Sequence, residues 1–408
     1  MKKVTLEQLA GVLSDLPPNP RVVASGNFAA PKSLLDVLDR TVPEYRLNVL
    51  NAQPGLPERD GVIHETSFVG PGVRRSPRLD YVPCRLSMVP VLWRRALPPD
   101  VVLLHTSAPR HDTVSLGTEV NVLPAAIEAA RERGGLVIVQ SNPQMPYTYG
   151  DAQIYDHEID YLVEVDEPLA THNPLDPGEI ATQIGARIAA RVEDGSTLQL
   201  GIGAVPDAVL AALIERKGLR IWTEMFSDGV LPLKERGCFD EDVPLTASFV
   251  FGSRDLYDWI HLNKRVRMMR TERTNDPGQI ARQPKMTSVN AALQVDLFDQ
   301  ANASRIKGRI FSGFGGSTDF IVGALHSRGG QSFIALASWH PKAQVSTIVP
   351  LIDEPVTSFQ HSAVVTENGV AEVFGRSQTE QARNIIEQAA HPQVREELWE
   401  EAAALGLT

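Results

Sequence analysis

The sequence is short of the features that would settle its function at a glance. Two cysteines stand in 408 residues, Cys84 and Cys238, and two isolated thiols build neither a disulfide framework nor a zinc site. They read as buried or idle thiols in a reducing cytosol. No apolar run reaches the roughly 18 residues that a membrane span requires, and Met1-Lys2-Lys3-Val4 runs straight into a polar helix pattern instead of a signal core. The expected compartment is therefore cytoplasmic, with no membrane partner. Positive charge is scarce as well: 39 Lys and Arg against 50 Asp and Glu leave a net charge of −11. That balance argues against a nucleic-acid partner, whose phosphates are held by basic surface. An anionic ligand must instead meet a local basic patch.

What is present is an ordinary globular composition, 43% hydrophobic and 22% charged, enough to bury two sizeable cores. The length fits two domains of roughly 150 to 220 residues. We place the boundary near residue 186, which gives a first domain over 1–185 and a second over 186–408. Residues 166–177, rich in proline and acids, are the linker candidate, and 178–192 has helical spacing. Upstream, 21–26 reads as a strand entering a glycine turn and 31–38 as a helix. Residues 101–105 and 136–140 read as buried parallel strands joined by a helix over 122–133. Downstream, 245–251, 310–312, 332–335 and 345–349 read as short strands, and 379–404 as a helix. Strands alternating with helices imply an α/β fold of two open domains with mainly parallel sheets.

One stretch carries most of the chemistry. It runs Leu198-Gln199-Leu200-Gly201-Ile202-Gly203-Ala204-Val205-Pro206, through a short helical pattern, to Ile221-Trp222-Thr223-Glu224-Met225-Phe226-Ser227-Asp228-Gly229. This reads as strand, glycine turn, helix and strand, with one carboxylate, Glu224, at the end of the second strand. Ligands of open α/β sheets gather beyond the carboxyl ends of the strands. Two chemistries fit. In a dinucleotide site the glycines admit a pyrophosphate to the helix N-terminus and an acid about 20 positions onward binds the ribose. Glu224 lies 21 positions after Gly203, but Pro206 replaces the third glycine of that fingerprint. In the other reading Glu224 is a nucleophile that becomes acylated, and the amides of Ile202, Gly203, Ala204 and Val205 face a thioester or its oxyanion.

Four motifs of the second half resemble the acetyl-CoA hydrolase/transferase family, with the closest likeness to 4-hydroxybutyrate and butyrate CoA-transferases. They are Leu-Gly-Ile-Gly-Ala-Val-Pro-Asp-Ala-Val from Leu200, Thr-Glu-Met-Phe-Ser-Asp-Gly from Thr223, Ser-Val-Asn-Ala-Ala-Leu-Gln-Val-Asp-Leu from Ser288, and Ser-Gly-Phe-Gly-Gly-Ser-Thr-Asp-Phe from Ser312. The resemblance implies that Glu224 is acylated and then carries CoA as a glutamyl thioester. It implies that Gly201 to Val205 and the Gly313–Gly316 loop line the CoA thioester, with Asn275 and Lys342 also on the CoA side. Asn290 and Glu367 are implied near substrate or the catalytic loop. Coenzyme A would be a co-substrate with no tightly bound cofactor and no metal. The partners would be an acyl-CoA and a small carboxylic acid, and the assembly a homodimer, with the active site in the cleft between the domains. The first domain would serve the acyl and acceptor side. Tyr147 stands where the family pattern has an arginine.

Basic residues offer further candidates. Lys264, Arg265, Arg267, Arg270 and Arg273 could hold CoA phosphates or simply form a solvated face. Arg74, Arg75 and Arg78 could meet an acceptor carboxylate. The leading expectation is a CoA-transferase working through Glu224. The alternatives are an acyl-CoA hydrolase using the same residue, a dinucleotide-binding oxidoreductase, and a binding module without turnover.

Overall fold

Continuous aliphatic runs become strands buried on both faces, which is what parallel sheets covered by helices demand. In a computed structural model that describes residues 1–174, 176–356 and 360–408, Val101–Thr106 is buried at every position. The chain forms two compact units, which we treat separately. Unit 1 comprises Met1–Asn173, Pro244–Thr274 and Ile310–Gly315; unit 2 comprises Pro174–Val243, Asn275–Arg309 and Gly316–Thr408.

Unit 1 is built on eight strands: β1 (Lys2–Lys3), β2 (Arg21–Ala24), β3 (Tyr45–Asn48), β4 (Val62–Thr66), β5 (Leu79–Tyr81), β6 (Val101–Thr106), β7 (Leu136–Ser141) and β8 (Tyr161–Glu164). Their spatial order is β1-β8-β7-β6-β2-β3-β4-β5. Every neighbouring pair is parallel. Helix α1 (Leu123–Glu132) links β6 to β7, as the apolar spacing predicts. The chain leaves β2 in opposite directions toward β3 and β6, so this sheet has its switch point there.

Unit 2 holds a six-stranded sheet of β9 (Thr197–Leu200), β10 (Arg220–Ile221), β11 (Met286–Ala291), β12 (Gln331–Ala335), β13 (Ala363–Val365) and β14 (Val370–Glu372). The order is β10-β9-β11-β12-β13-β14. The first five strands are parallel and β14 runs antiparallel to β13. Counted from β9 this is the 2-1-3-4-5 arrangement, with its switch point between β9 and β11. Helices α2 (Gly178–Ala189) and α3 (Ala204–Ala212) pack tightly. A Cβ on Gly185 would stand 2.7 Å from the Ala208 Cβ, so only glycine permits that approach.

Several expected elements differ in extent. Ala247 and Phe249 end and begin separate strands around Ser248, and the run at 310–312 contributes only Arg309–Ile310. Residues 345–349 divide into two-residue strands at Thr347. The C-terminal helix is not continuous. It passes from Gln378–Asn384 into a π-helical turn, Ile385–Ala389, and restarts at Arg395–Ala404 beyond Pro392, whose ring bars an unbroken helix. Residues 165–174 carry no helix or strand; Leu175 lies outside the described residues. Among those residues no helix is long and apolar enough to cross a membrane.

Candidate active site

The carboxyl edge of the unit 2 sheet gathers the sequence candidates in order. Past β9 comes the glycine turn. Gly203 adopts φ 115° as the N-cap of α3, a conformation open to glycine and strained for other residues. No side chain caps α3, so its first amides, those of Ala204 and Val205, remain directed outward. A Cβ on Gly201 or Gly203 would meet nothing within 4 Å, and Ile202 is 44% exposed. The turn is thus an open anion-accepting end of a helix.

Past β10 comes Glu224, three residues beyond the strand rather than at its end, because β10 stops at Ile221. Thr223 explains the offset. Its hydroxyl donates to the Met225 carbonyl at 2.9 Å and lies 3.3 Å from the Leu200 carbonyl, closing a small turn against the base of the glycine loop. The Glu224 side chain is partly buried, and Asn275 Nδ2 donates to its Oε2 at 2.8 Å. Both groups rest on the bare Cα of Gly316. A Cβ there would fall 1.9 Å from Glu224 Oε2 and 2.2 Å from Asn275 Nδ2. Gly316 is also the N-cap of α4 (Ser317–His326), again without a side-chain cap. Burial pushes the Glu224 carboxyl up to about 7, opposed by the Asn275 hydrogen bond and reinforced by the charge of Asp319.

Other candidates sit on the same edge but in different company. Asn290, in β11, donates to Ser288 Oγ at 2.9 Å and to Gln199 Oε1 at 3.3 Å, while Ser288 Oγ donates to Gln199 Oε1 at 2.6 Å. This buried network bridges β9 and β11 at the switch point, two residues before the glycine turn. Glu367, after β13, accepts from the Ser338 amide at 2.9 Å and from the Ser338 hydroxyl. It therefore clamps the start of a hairpin, Trp339–His340 with Val345–Ser346. Lys342 is exposed at the tip of that hairpin. Gly313 belongs to unit 1, where its Cβ position would lie 2.5 Å from the Ser67 carbonyl. Of the named residues, direct contact joins Glu224, Asn275 and Gly316.

The basic candidates are corrected in part. Arg270 is bound to Glu128 at 2.5 and 2.9 Å and to Glu272 at 2.7 Å, and Arg273 faces Asp151 at 3.5 Å. Arg270 is thus taken up by internal ion pairs of unit 1, whereas Arg273 keeps 57% of its side chain exposed and Lys264 and Arg267 are exposed as a solvated face requires. Arg74 donates to the Phe311 carbonyl at 2.8 Å and stacks over its ring. Arg78 is held by Val62 and Asp60, which leaves Arg75 exposed. Unit 1 has a pocket at its own switch point, lined by Asn27, Phe28, Lys32, Gln53, His105 and Glu167 among others. His105 is 5% exposed, and burial lowers its pKa to about 4, so the ring is neutral at physiological pH.

Comparison with known proteins gives the family. Residues 51–171 match the acetyl-CoA hydrolase/transferase N-terminal domain and residues 252–402 the corresponding C-terminal domain. A 4-hydroxybutyrate coenzyme A transferase of Clostridium kluyveri is 36% identical over 98% of this chain and 97% of its own length. The chain belongs to the acetyl-CoA hydrolase/transferase family. A succinyl-CoA:acetate/propanoyl-CoA:succinate CoA transferase of Fasciola hepatica is 35% identical over 96% of this chain and 86% of its own. Among solved structures, RipA from Yersinia pestis superposes with a TM-score of 0.92 at 29% identity, covering 100% of this chain and 98% of the other. A 4-hydroxybutyrate CoA-transferase from Porphyromonas gingivalis gives 0.81 at 30% identity, covering 99% and 98%. This member of the acetyl-CoA hydrolase/transferase family is an enzyme, and the relatives named with it are CoA transferases and acetyl-CoA hydrolases.

Sequence reasoning passed over Asp319 and Gln199. Asp319 stands three residues after Gly316 in α4 and is 1% exposed; its position in the first turn of a helix that opens on a glycine motif was the available signal. Gln199 was masked by the apolar pattern of its own strand.

Proposed function

We propose that the enzyme moves CoA between a short-chain acyl-CoA and a carboxylic acid of the acetate, butyrate or 4-hydroxybutyrate type, through a glutamyl-CoA thioester on Glu224. The observation that carries this reading is how Glu224 is held: partly stripped of water, oriented by Asn275 and pressed on Gly316 at the open start of α4. A carboxylate attacks a thioester well only when ionised, positioned and poorly solvated. Attack of a Glu224 oxygen on the acyl carbonyl breaks the C–S bond, giving CoA thiolate and an acyl-glutamyl anhydride. The thiolate then attacks the glutamyl carbonyl, releasing the carboxylate product and leaving CoA bonded to the enzyme. An acceptor carboxylate runs the two steps in reverse and restores Glu224. No proton, metal or redox equivalent is consumed.

The amides that follow Gly203 suit an oxyanion, and each such preorganised donor is worth on the order of 3 kcal/mol in the transition state. We assign Gly201, Ile202, Gly203, Ala204, Val205, Asn275, Gly313, Gly316 and Lys342 to the CoA side. Asn290 and Glu367 serve as positioning residues, acting through the β9–β11 bridge and the Ser338 hairpin. The first domain, residues 1–185, serves the acyl and acceptor side, and we infer a cytoplasmic homodimer from the family resemblance. The test is to mix enzyme with an acyl-CoA, reduce with borohydride and map the peptides by mass spectrometry. An alcohol in place of the Glu224 carboxyl is expected; an unmodified Glu224 peptide overturns the assignment. Acyl-CoA loss that does not depend on added acetate would identify the reaction as hydrolysis, the activity named for an acetyl-CoA hydrolase of Kluyveromyces lactis that is 32% identical over 48% of this chain.

A further inference from the structure

Helix α4 presents its N-terminus to two carboxyl groups. Glu224 lies over the N-cap glycine, Gly316, close enough that a Cβ would collide with Oε2, and Asp319 occupies the third helical position, 1% exposed. A helix N-terminus favours negative charge, but the benefit is confined to the first turn and two anions placed there repel each other. We propose that Asp319 is a positioning residue of the transfer reaction, whose fixed negative charge disfavours the free Glu224 carboxylate and so drives Glu224 toward its covalent state.

The charge on Glu224 changes through the cycle. As the free carboxylate it carries a full negative charge beside Asp319; as an anhydride or a glutamyl thioester it carries none. Repulsion from Asp319 therefore raises the energy of the resting nucleophile and leaves the intermediate untouched. Asp319 exchanges no proton and forms no bond in either step. Asn275 works in the opposite sense, since its N–H stabilises the anion. The other acids of the neighbourhood do not share this role. Asp207, in α3, accepts from the Ser227 hydroxyl at 3.2 Å, Asp228 is buried on the loop of Glu224 itself, and neither acts on the Glu224 pKa, which burial and Asp319 raise and Asn275 lowers. A raised pKa also makes the carboxylate a stronger nucleophile once ionised.

The proposal rests on Glu224 being the nucleophile, and the experiment separates the two claims. Asp319→Asn keeps the shape and removes the charge. In the variant, the acid limb of kcat/KM should move to lower pH by on the order of one unit. The fraction of enzyme trapped as reduced glutamyl-CoA at pH 8.5 should fall severalfold. A folded variant with an unmoved limb and an unchanged trapped fraction overturns the role of Asp319. Failure to trap any Glu224 adduct in the wild type overturns the nucleophile instead. Should Asp319→Asn not fold, Asp319→Ser tests the same charge in less space. A 13C titration of labelled glutamates gives an independent reading: Glu224 should have its midpoint near 7 in the wild type and a lower one in Asp319→Asn. An unmoved midpoint refutes the coupling.

Discussion

Replacing Glu224 with glutamine should stabilise the fold in alkaline solution and do little in acid. The wild-type native state keeps the Glu224 proton until about pH 7, whereas the ordinary value is 4.5. Between those values the native state binds more protons than the unfolded chain, so stability falls as pH rises through that window. Above it the whole cost of ionising a partly buried carboxylate is present. The gap of about 2.5 pH units corresponds to about 3 kcal/mol, an upper bound on what glutamine would recover at pH 8. At pH 5 the same linkage leaves under about 1 kcal/mol. Glutamine keeps an oxygen to accept from Asn275, so that contact survives the change.

Scanning calorimetry of both proteins at pH 8 and pH 5 reads the effect directly. A unit of this size shifts by about 2–4 °C per kcal/mol, so the variant should melt several degrees higher at pH 8, with most of that advantage gone at pH 5. A difference of equal size at both pH values, or a variant less stable at pH 8, would mean that Glu224 is not held as a desolvated acid. Activity should vanish at the same time, which separates a functional cost from a structural one.

The same geometry fixes other outcomes. The wild-type kcat/KM should fall below pH 7 with slope one, because the protonated Glu224 is not a nucleophile; a limb near 4.5 would contradict the burial. Asn275→Ala removes a hydrogen bond to the charged form, a contact worth about 1.5–3 kcal/mol, so the acid limb should move upward in pH. Gly316→Ala places a methyl 1.9 Å from Glu224 Oε2. It should cost on the order of 10²-fold or more in kcat/KM with little change in circular dichroism, and near-wild-type turnover would show that the carboxylate works from another position. Gln199→Leu leaves Ser288 and Asn290 without their shared acceptor and should lower stability by about 1–3 kcal/mol, measured by denaturant titration.

The sequence announced the scaffold more clearly than the fittings. Val101–Thr106 and Leu136–Ser141 were legible because strands buried on both faces must be continuously apolar. The turn at Gly203 was legible because its φ of 115° excludes other residues. The C-terminal helix was overextended because its helical spacing continues through a π turn that only the packed chain reveals. There Thr366 Oγ1 donates to the Ala389 carbonyl at 2.7 Å, satisfying a group the irregular helix end leaves open. Arg270 was read within a basic cluster, as a phosphate ligand or part of a solvated face, because its partner Glu128 is 142 positions away in sequence. The hold of Glu367 on Ser338 was hidden in the same way, since Ser338 stands 29 residues earlier. Local period is written in the sequence, while long-range pairing of polar groups is decided by topology.

That distinction also explains why spacing could not choose between a dinucleotide site and a transferase site. Both begin with a strand, a glycine turn, a helix and a second strand ending near an acid, and Glu224 satisfies the interval of the fingerprint. The two sites ask opposite things of that acid. A carboxylate that clamps ribose hydroxyls works best fully ionised, accepting hydrogen bonds with an ordinary pKa. Glu224 is instead lifted three residues past β10 by the Thr223 turn and set against α4, where burial holds it half-protonated near neutrality. Such an acid makes a poor ribose clamp and a good nucleophile, since basicity and nucleophilicity rise together. The deciding variable is the free energy of the negative charge, which burial, Asn275 and Asp319 set together, and a sequence interval of 21 residues carries no information about it.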